Sequence, residues 1–356
     1  MITLRDLNRA TLARQLLLRR HAMPALEAVE HLVGLQAQAP FPPYFGLWSR
    51  LSAFVPGELA RLLEERHVVR LVLMRGTVHL VSAADSLTLR PLTQPQLTRF
   101  LHSAYGGRVA ALDLEAVVAA GRRALAGGPL TGAALGNLLA GEFPGAQPAD
   151  LAQIMRILVP LVQVPPRAVW GRSGQTAYAT VESWLGRDPH PSPSPETLVL
   201  RYLAAFGPAT VADAQAWSGL TGLREVVERL RPRLVTLPGP GGRELFDLPD
   251  APRPGGAAPA PVRLLAPFDN LLLSHADRTR VISDADRARV ITVNGQVLGT
   301  VLVDGFVHGT WKRDKSVVTV ELFRPVTGGQ AAEIRAEAAA LLEFAAPGGR
   351  HEVRGV

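Results

Sequence analysis

Residues 195–250 are punctuated so tightly that few small folds accommodate them. Pro195-Glu196 opens a helix running through Tyr202 to Phe206, and Gly207-Pro208 stops it because proline lacks the amide donor that a helix interior needs. Thr210 caps a second helix over 211–217, and Thr221 starts a third, with Leu223, Val226, Val227 and Leu230 at helical spacing. Two short apolar runs, 234–237 and 245–248, flank Pro238-Gly239-Pro240-Gly241-Gly242, as the strands of a hairpin do. Three short helices followed by a hairpin predict a winged helix, whose third helix is the usual reader of a DNA groove.

The same order recurs upstream with little shared sequence. A helix over 114–125 breaks at Gly127-Gly128-Pro129, Thr131 caps another over 133–139, a long third helix covers 149–162, and 169–178 reads as a wing with Arg172 at its tip. The first 95 residues fit a looser copy, with helices near 4–19, 25–37 and 56–67 closed by strands around Arg75 to His79. Pro189, Pro191, Pro193 and Pro195 alternate with His190, Ser192 and Ser194 as a stiff extended linker. Beyond a Pro/Gly/Ala-rich spacer at 249–261, a meander is predicted over 290–293, 297–303 and 306–312, with Asn294-Gly295 and Asp304-Gly305 as its tight turns. The expected class is α+β and mostly helical. Its divisions are three winged-helix units at 1–95, 96–190 and 191–255, then a β-rich portion at 256–356.

At 356 residues, 47% hydrophobic and 19% charged, the chain is globular and suits several modules. Its net charge of +7 favours a polyanionic partner. Lysine occurs only at Lys312 and Lys315, so nearly all the positive charge is arginine, which binds phosphate and guanine edges well. Cysteine is absent, which excludes disulfides, thiolate nucleophiles and cysteine-ligated metal sites. No cluster of carboxylates or histidines has convincing ligand spacing, so neither metal nor cofactor is expected. The charged start and the lack of a long apolar run predict a soluble bacterial cytoplasmic protein with no membrane partner.

Two segments carry polar side chains that could work together. Gln36 and Gln38 lie in Gly34-Leu35-Gln36-Ala37-Gln38-Ala39-Pro40 at the end of an apolar helical stretch. On a continuous helix they would point to nearly opposite sides, so they converge only if the helix ends there, which Pro40, Pro42 and Pro43 would enforce. Strand alternation puts Arg75, Thr77 and His79 on one outward-looking face of 73–81. Taken alone, these residues read as a solvated sheet face with one incidental histidine and as amides bonding the free carbonyls of a helix end. Asp269 reads as a turn-capping carboxylate. His275, Arg278 and Arg280 could contact DNA backbone or lesion, or form a solvated charged loop.

In combination the segments carry more. Gly-Leu-Gln36-Ala-Gln38, Arg75-Gly-Thr77-Val-His79-Leu, the run 267–275 with Asp277-Arg278-Thr279-Arg280, and Val303-Asp304-Gly305 with Gly309-Thr310-Trp311 occur in one order along the chain. In this the chain resembles the winged-helix DNA glycosylases of the AlkZ/YcaQ type, over essentially its whole length. The resemblance implies a C-shaped array of tandem winged helices closed by the β-rich portion, with duplex DNA containing alkylated purines as partner. It implies action as a monomer in the nucleoid-bearing cytoplasm, excision of cationic N7-alkylguanine and unhooking of interstrand crosslinks. The Gln-apolar-Gln motif is catalytic in the AlkZ branch, whereas the YcaQ branch has aspartate at the second position. Gln36 and Gln38 would therefore be the catalytic pair, positioning a water at C1′. Arg75, Thr77, His79, His275, Arg278, Arg280, Trp311, Lys312 and Arg313 would be the lesion and DNA contacts. The reading from another class is a non-catalytic winged-helix DNA binder such as a transcription regulator, since this fold is widely reused.

Overall fold

The computed structural model describes residues 2–356, and its elements form an α+β fold with three sheets. The N-terminal helix Leu4–Arg14 is set by Thr3, whose hydroxyl accepts from the Asp6 amide while the Asp6 carboxylate caps Thr3 in return. Between 195 and 247 the expected elements are in place. Helices Pro195–Phe206, Val211–Ser218 and Leu223–Leu230 precede the hairpin Val235–Pro238/Glu244–Asp247.

The first 190 residues are more interwoven than the sequence predicts. One antiparallel sheet runs Leu35–Gln36, Val78–Ser82, Val68–Val72, Leu161–Gln163, Ala177–Thr180, Leu130–Thr131, so the two upstream units share it. The division expected at 95/96 falls inside a 27-residue helix, Ala83–Val109. The long helix expected over 149–162 ends at Leu158, and Leu161–Gln163 pairs with Ala177–Thr180. Pro160 separates the two elements because it cannot supply a helical amide. Arg172, expected at a wing tip, sits in the intervening loop and pairs with Glu64 at 2.8 Å.

The first unit departs most. Its helices are Leu4–Arg14, Ala25–His31 and Pro56–Glu64, with a further one at Pro42–Trp48. Pro42 and Pro43 therefore open a helix, where missing amides cost nothing, instead of closing one. The second helix ends earlier, where Val33 (φ 55°) and Gly34 (φ 88°) turn left-handed. A β-carbon on Gly34 would lie 2.5 Å from Val81 Cγ1 and 2.9 Å from the Leu80 carbonyl oxygen, so only glycine lets the chain drop onto the strand beside it. Residues 35–36 are then strand, not helix end.

At the C-terminal end a five-stranded sheet has the order Glu352–Arg354, Val317–Leu322, Phe306–Asp314, Gly299–Val303, Arg263–Leu265. Asp304 and Gly305, both at positive φ, turn the expected hairpin. The strand expected at 290–293 is instead the end of helix Asp284–Val290 and a single bridge from Ile291 to Val297. A long helix, Gly328–Ala345, also belongs to this portion. No helix among the described residues is long and apolar enough to cross a membrane.

Buried arginines tie the portions together. Arg14 forks onto Asp247 at 2.6 and 2.8 Å with both side chains fully buried. The turn at Asp304-Gly305 packs on the N-terminal helix, where Asn8 donates to the Gly305 carbonyl at 2.8 Å. Arg50 forks onto Asp269 at 2.8 and 2.9 Å and also donates to the carbonyls of Gln15 and Gly46. Asp269 in turn caps the turn Asn270–Leu272 by accepting from the Leu271 amide, as its sequence context suggested. Removing one partner of such a pair strands the other charge without water. Arg50→Ala should therefore lower unfolding free energy by about 3–5 kcal/mol in denaturant titration. A loss under about 1 kcal/mol would show that water replaces the pair.

Candidate active site

The short strand Leu35–Gln36 lies at the edge of the shared sheet, with Gln36 opposite His79. The Ala37 amide donates to the Val78 carbonyl at 2.7 Å, and the Val78 amide, rather than meeting backbone, donates to Gln38 Oε1 at 2.8 Å. The Gln38 side chain thus completes the ladder where the main chain leaves it. Gln36 ends the strand Leu35–Gln36 and Gln38 lies in the bend just beyond it, so neither sits at the end of a helix. Gln36 is buried and Gln38 is exposed.

Gln36 Oε1 accepts from Arg75 Nη2 at 2.8 Å. A guanidinium and a backbone amide only donate, so both glutamine oxygens are identified by their partners. Each retains a second lone pair, and both amide nitrogens are free of protein acceptors in the hydrogen-bond network around the site.

Arg75 does not lie on a strand face. It occupies the tight turn Met74–Gly76 at φ 58°, one of the few left-handed non-glycine residues. Its guanidinium bridges three portions: the Trp217 carbonyl from the third unit, Gln36, and Asn270 Oδ1 at 3.5 Å. Asn270 donates to the Gly34 carbonyl at 3.2 Å, closing the ring of contacts. Desolvation, with Arg278 adding to it, lowers Arg75 to about 10, and it remains a cation at neutral pH.

Thr77 spends its hydroxyl on the Met74 carbonyl at 3.1 Å, which holds the turn. His79, expected to look outward, is fully buried in the sheet. Its Nδ1 lies 3.0 Å from the Thr77 carbonyl and must carry the proton, which leaves Nε2 as a bare acceptor with no protein partner. Burial, then the charge of Arg75, pushes His79 down to about 3. It is a neutral imidazole and a poor base.

Three further expected contacts are, like His79, interior residues. His275 is buried with Nε2 3.1 Å from the Phe206 carbonyl and is pushed down to about 3 by burial, then by Arg280. Arg280 is spent on the Pro208 carbonyl at 2.8 Å and faces Asp213. Trp311 is core, its Nε1 donating to the Leu265 carbonyl at 2.7 Å. Arg278 is half-buried, while Lys312 and Arg313 are exposed. Asn270 and Trp217 were not singled out from the sequence. Asn270 lies inside a motif already noted, whereas nothing local marks the Trp217 carbonyl, which acts across 142 positions.

Among the described residues no three histidine, aspartate or glutamate side chains gather to hold a metal ion. The family profile described as DNA glycosylase AlkZ-like matches residues 29–344. The interstrand DNA cross-link repair glycosylase of Streptomyces sahachiroi is 29% identical over 140 residues, a segment that spans only 36% of this chain and 36% of that protein. The solved structure of Streptomyces sahachiroi DNA glycosylase AlkZ superposes with a TM-score of 0.83 at 21% identity over the full length of both chains. With a profile match across most of its length and the same fold throughout, the chain belongs to the AlkZ-like DNA glycosylase family.

Proposed function

We propose that this protein is a monofunctional DNA glycosylase that releases cationic N7-alkylguanine from duplex DNA, with Gln36 and Gln38 as the catalytic pair. The observation that carries this reading is the pair of neutral amides on one extended segment, each oxygen anchored by a fixed donor. Neither amide is a strong acid or base, and the one nearby imidazole is held neutral. A site so built suits a leaving group that needs no proton. N7-alkylation supplies one, because the guanine is already cationic and takes the electrons of the C1′–N9 bond to depart neutral.

Positive charge then develops on the sugar. The free lone pairs of the two Oε1 atoms lie against it as fixed dipoles and hold a water whose oxygen bonds to C1′, the water's proton passing to solvent. The amide N–H groups donate to sugar or phosphate oxygens. Arg75 acts through Gln36: tied to the Trp217 carbonyl, it fixes the amide's direction. The cross-link activity in the name of the Streptomyces sahachiroi relative extends the reading to interstrand crosslinks through N7 of guanine, each half of which is such a cation.

Gln36→Ala and Gln38→Ala should each slow base release under single-turnover conditions by roughly 10²-fold while duplex affinity changes little. Excision at the unmodified rate by the double variant would remove the pair from catalysis. Uracil in the same duplex context should stay in place, because a neutral base leaves only with added charge stabilisation. Efficient uracil release would point to an acid that this site lacks.

The acid side of the pH profile tests His79. A histidine base with an ordinary pKa near 6.5 would lose activity as pH falls through that value. With its pKa near 3, His79 stays unprotonated from pH 7 to pH 5, so the excision rate should be flat across that window. A decline centred near 6.5 would make His79, or another group, an operating base.

A further inference from the structure

Arg70 is a buried cation that the chemistry above leaves unused. It stands in the middle of Val68–Val72, inside the shared sheet, and is 1% exposed. Its Nη2 donates to the Ala37 carbonyl at 2.7 Å and to the Ala39 carbonyl at 3.4 Å. Its Nε and Nη1 find no protein partner. The titratable groups that bear on it most are Arg167, Tyr44 and Tyr178, none of them a carboxylate. Burial, then the charge of Arg167, lowers it to about 10, and it remains a cation at neutral pH. Arg14, Arg50 and Arg280, as deeply buried, each face an aspartate. An unmatched charge with idle donors costs folding free energy, so stability alone does not account for Arg70.

What Arg70 holds is the main chain on both sides of Gln38. The edge strand has ended by that point, and the segment bends toward Pro40. On the sheet side its ties are the Ala37 amide to the Val78 carbonyl and the Val78 amide to Gln38 Oε1. Arg70, Leu80 and Leu35 stand in register across neighbouring strands, so the guanidinium spans the middle strand to reach the bend. The planar peptide between Ala37 and Gln38 has its carbonyl pinned inward by Arg70, which fixes the plane from which the Gln38 side chain departs. A charged donor holds such carbonyls more strongly than a neutral one, which gives the unmatched charge a use.

We infer that Arg70 is a positioning residue for Gln38, aiming its amide by holding the carbonyls on either side of it. The inference rests on the glycosylase reading and gives each glutamine its own interior arginine, Arg75 acting on Gln36 and Arg70 on Gln38.

The test couples substitutions and reads base release from an N7-methylguanine duplex at saturating enzyme, with the half-saturating concentration measured alongside. Arg70→Met should lower the rate about tenfold and leave half-saturation unchanged, because a misaimed group costs rate rather than affinity. In a Gln38→Ala background the same change should have almost no further effect, while in a Gln36→Ala background the loss of about tenfold should remain, since residues that act through one another are not additive. Arg70→Lys keeps the charge on a head one bond shorter and should recover part of the rate. Should Arg70→Met not fold, Arg70→Lys carries the same comparisons, its smaller loss again vanishing without Gln38. Arg90→Met is the control: Arg90 is equally buried and bonds the Ile157 carbonyl and Gln94, away from the glutamine segment, so the rate should hold. An unchanged rate in Arg70→Met, an equal loss in every background, or the same loss in Arg90→Met would overturn the assignment. Amide hydrogen exchange supplies a readout besides activity. The Val78 amide, held by Gln38 Oε1, should exchange about tenfold faster in Arg70→Met while amides elsewhere in the shared sheet keep their rates. Failure of the unmodified protein to release N7-methylguanine would count against the glycosylase reading, and Val78 would then decide Arg70 by itself: faster exchange confined to it would sustain the positioning of Gln38, and unchanged or uniformly faster exchange would end it.

Discussion

The guanidinium of Arg75 is the contact on which the rest of the site depends. It sits on the three-residue turn Met74–Gly76 between strands of the shared sheet, yet its partners come from the third unit, the glutamine segment and the turn Asn270–Leu272. An arginine suits this junction because a planar fork can hold several carbonyl oxygens in fixed directions, which a lysine ammonium cannot do. The left-handed backbone at Arg75 is tolerated because the surrounding bonds over-determine it. The helical unit at 195–247 thus helps aim an amide that its own residues never touch.

Where that cation stands also has an electrostatic consequence. Arg75 and Arg278 lie near enough for Arg278 to add to the lowering of Arg75, and no carboxylate offsets either shift. Two half-buried guanidinium groups without a matching anion make a site that a phosphate would neutralise. Gln36 turns its side-chain oxygen to Arg75. The amide satisfies one donor and keeps a lone pair without adding a charge of its own.

The elements that were legible in the sequence were those whose signals are local. Capping threonines, Gly207-Pro208 and the Pro/Gly tip at 238–242 defined the third unit, because a cap or a turn acts within three or four residues. Asp304-Gly305 was readable for the same reason. The sheet joining the first two units was not, since the pairing of Val68–Val72 with Leu161–Gln163 has no local signature. The glutamines lie on the edge strand and in the bend after it, not at the helix end that the prolines suggested. Gly34 was visible in the motif, yet that it must meet Val81 at 2.5 Å from a would-be β-carbon follows only from the tertiary crossing. Polar and aromatic side chains misled most: His79, His275, Arg280 and Trp311 read as contacts and prove to be interior residues.

Those buried ties explain how a chain with so much arginine divides its charge between two tasks. Arg14, Arg50 and Arg280 are sealed inside and matched to Asp247, Asp269 and Asp213, so they fix the arrangement of the units rather than attract DNA. Net positive charge therefore overstates the surface available to phosphate. The cations left for that purpose are few and differently placed: Arg278 half-buried beside Arg75, and Lys312 and Arg313 exposed on the strand Phe306–Asp314. The guanidinium nearest the amides donates to protein carbonyl oxygens, which fixes its place and, through it, the direction of Gln36.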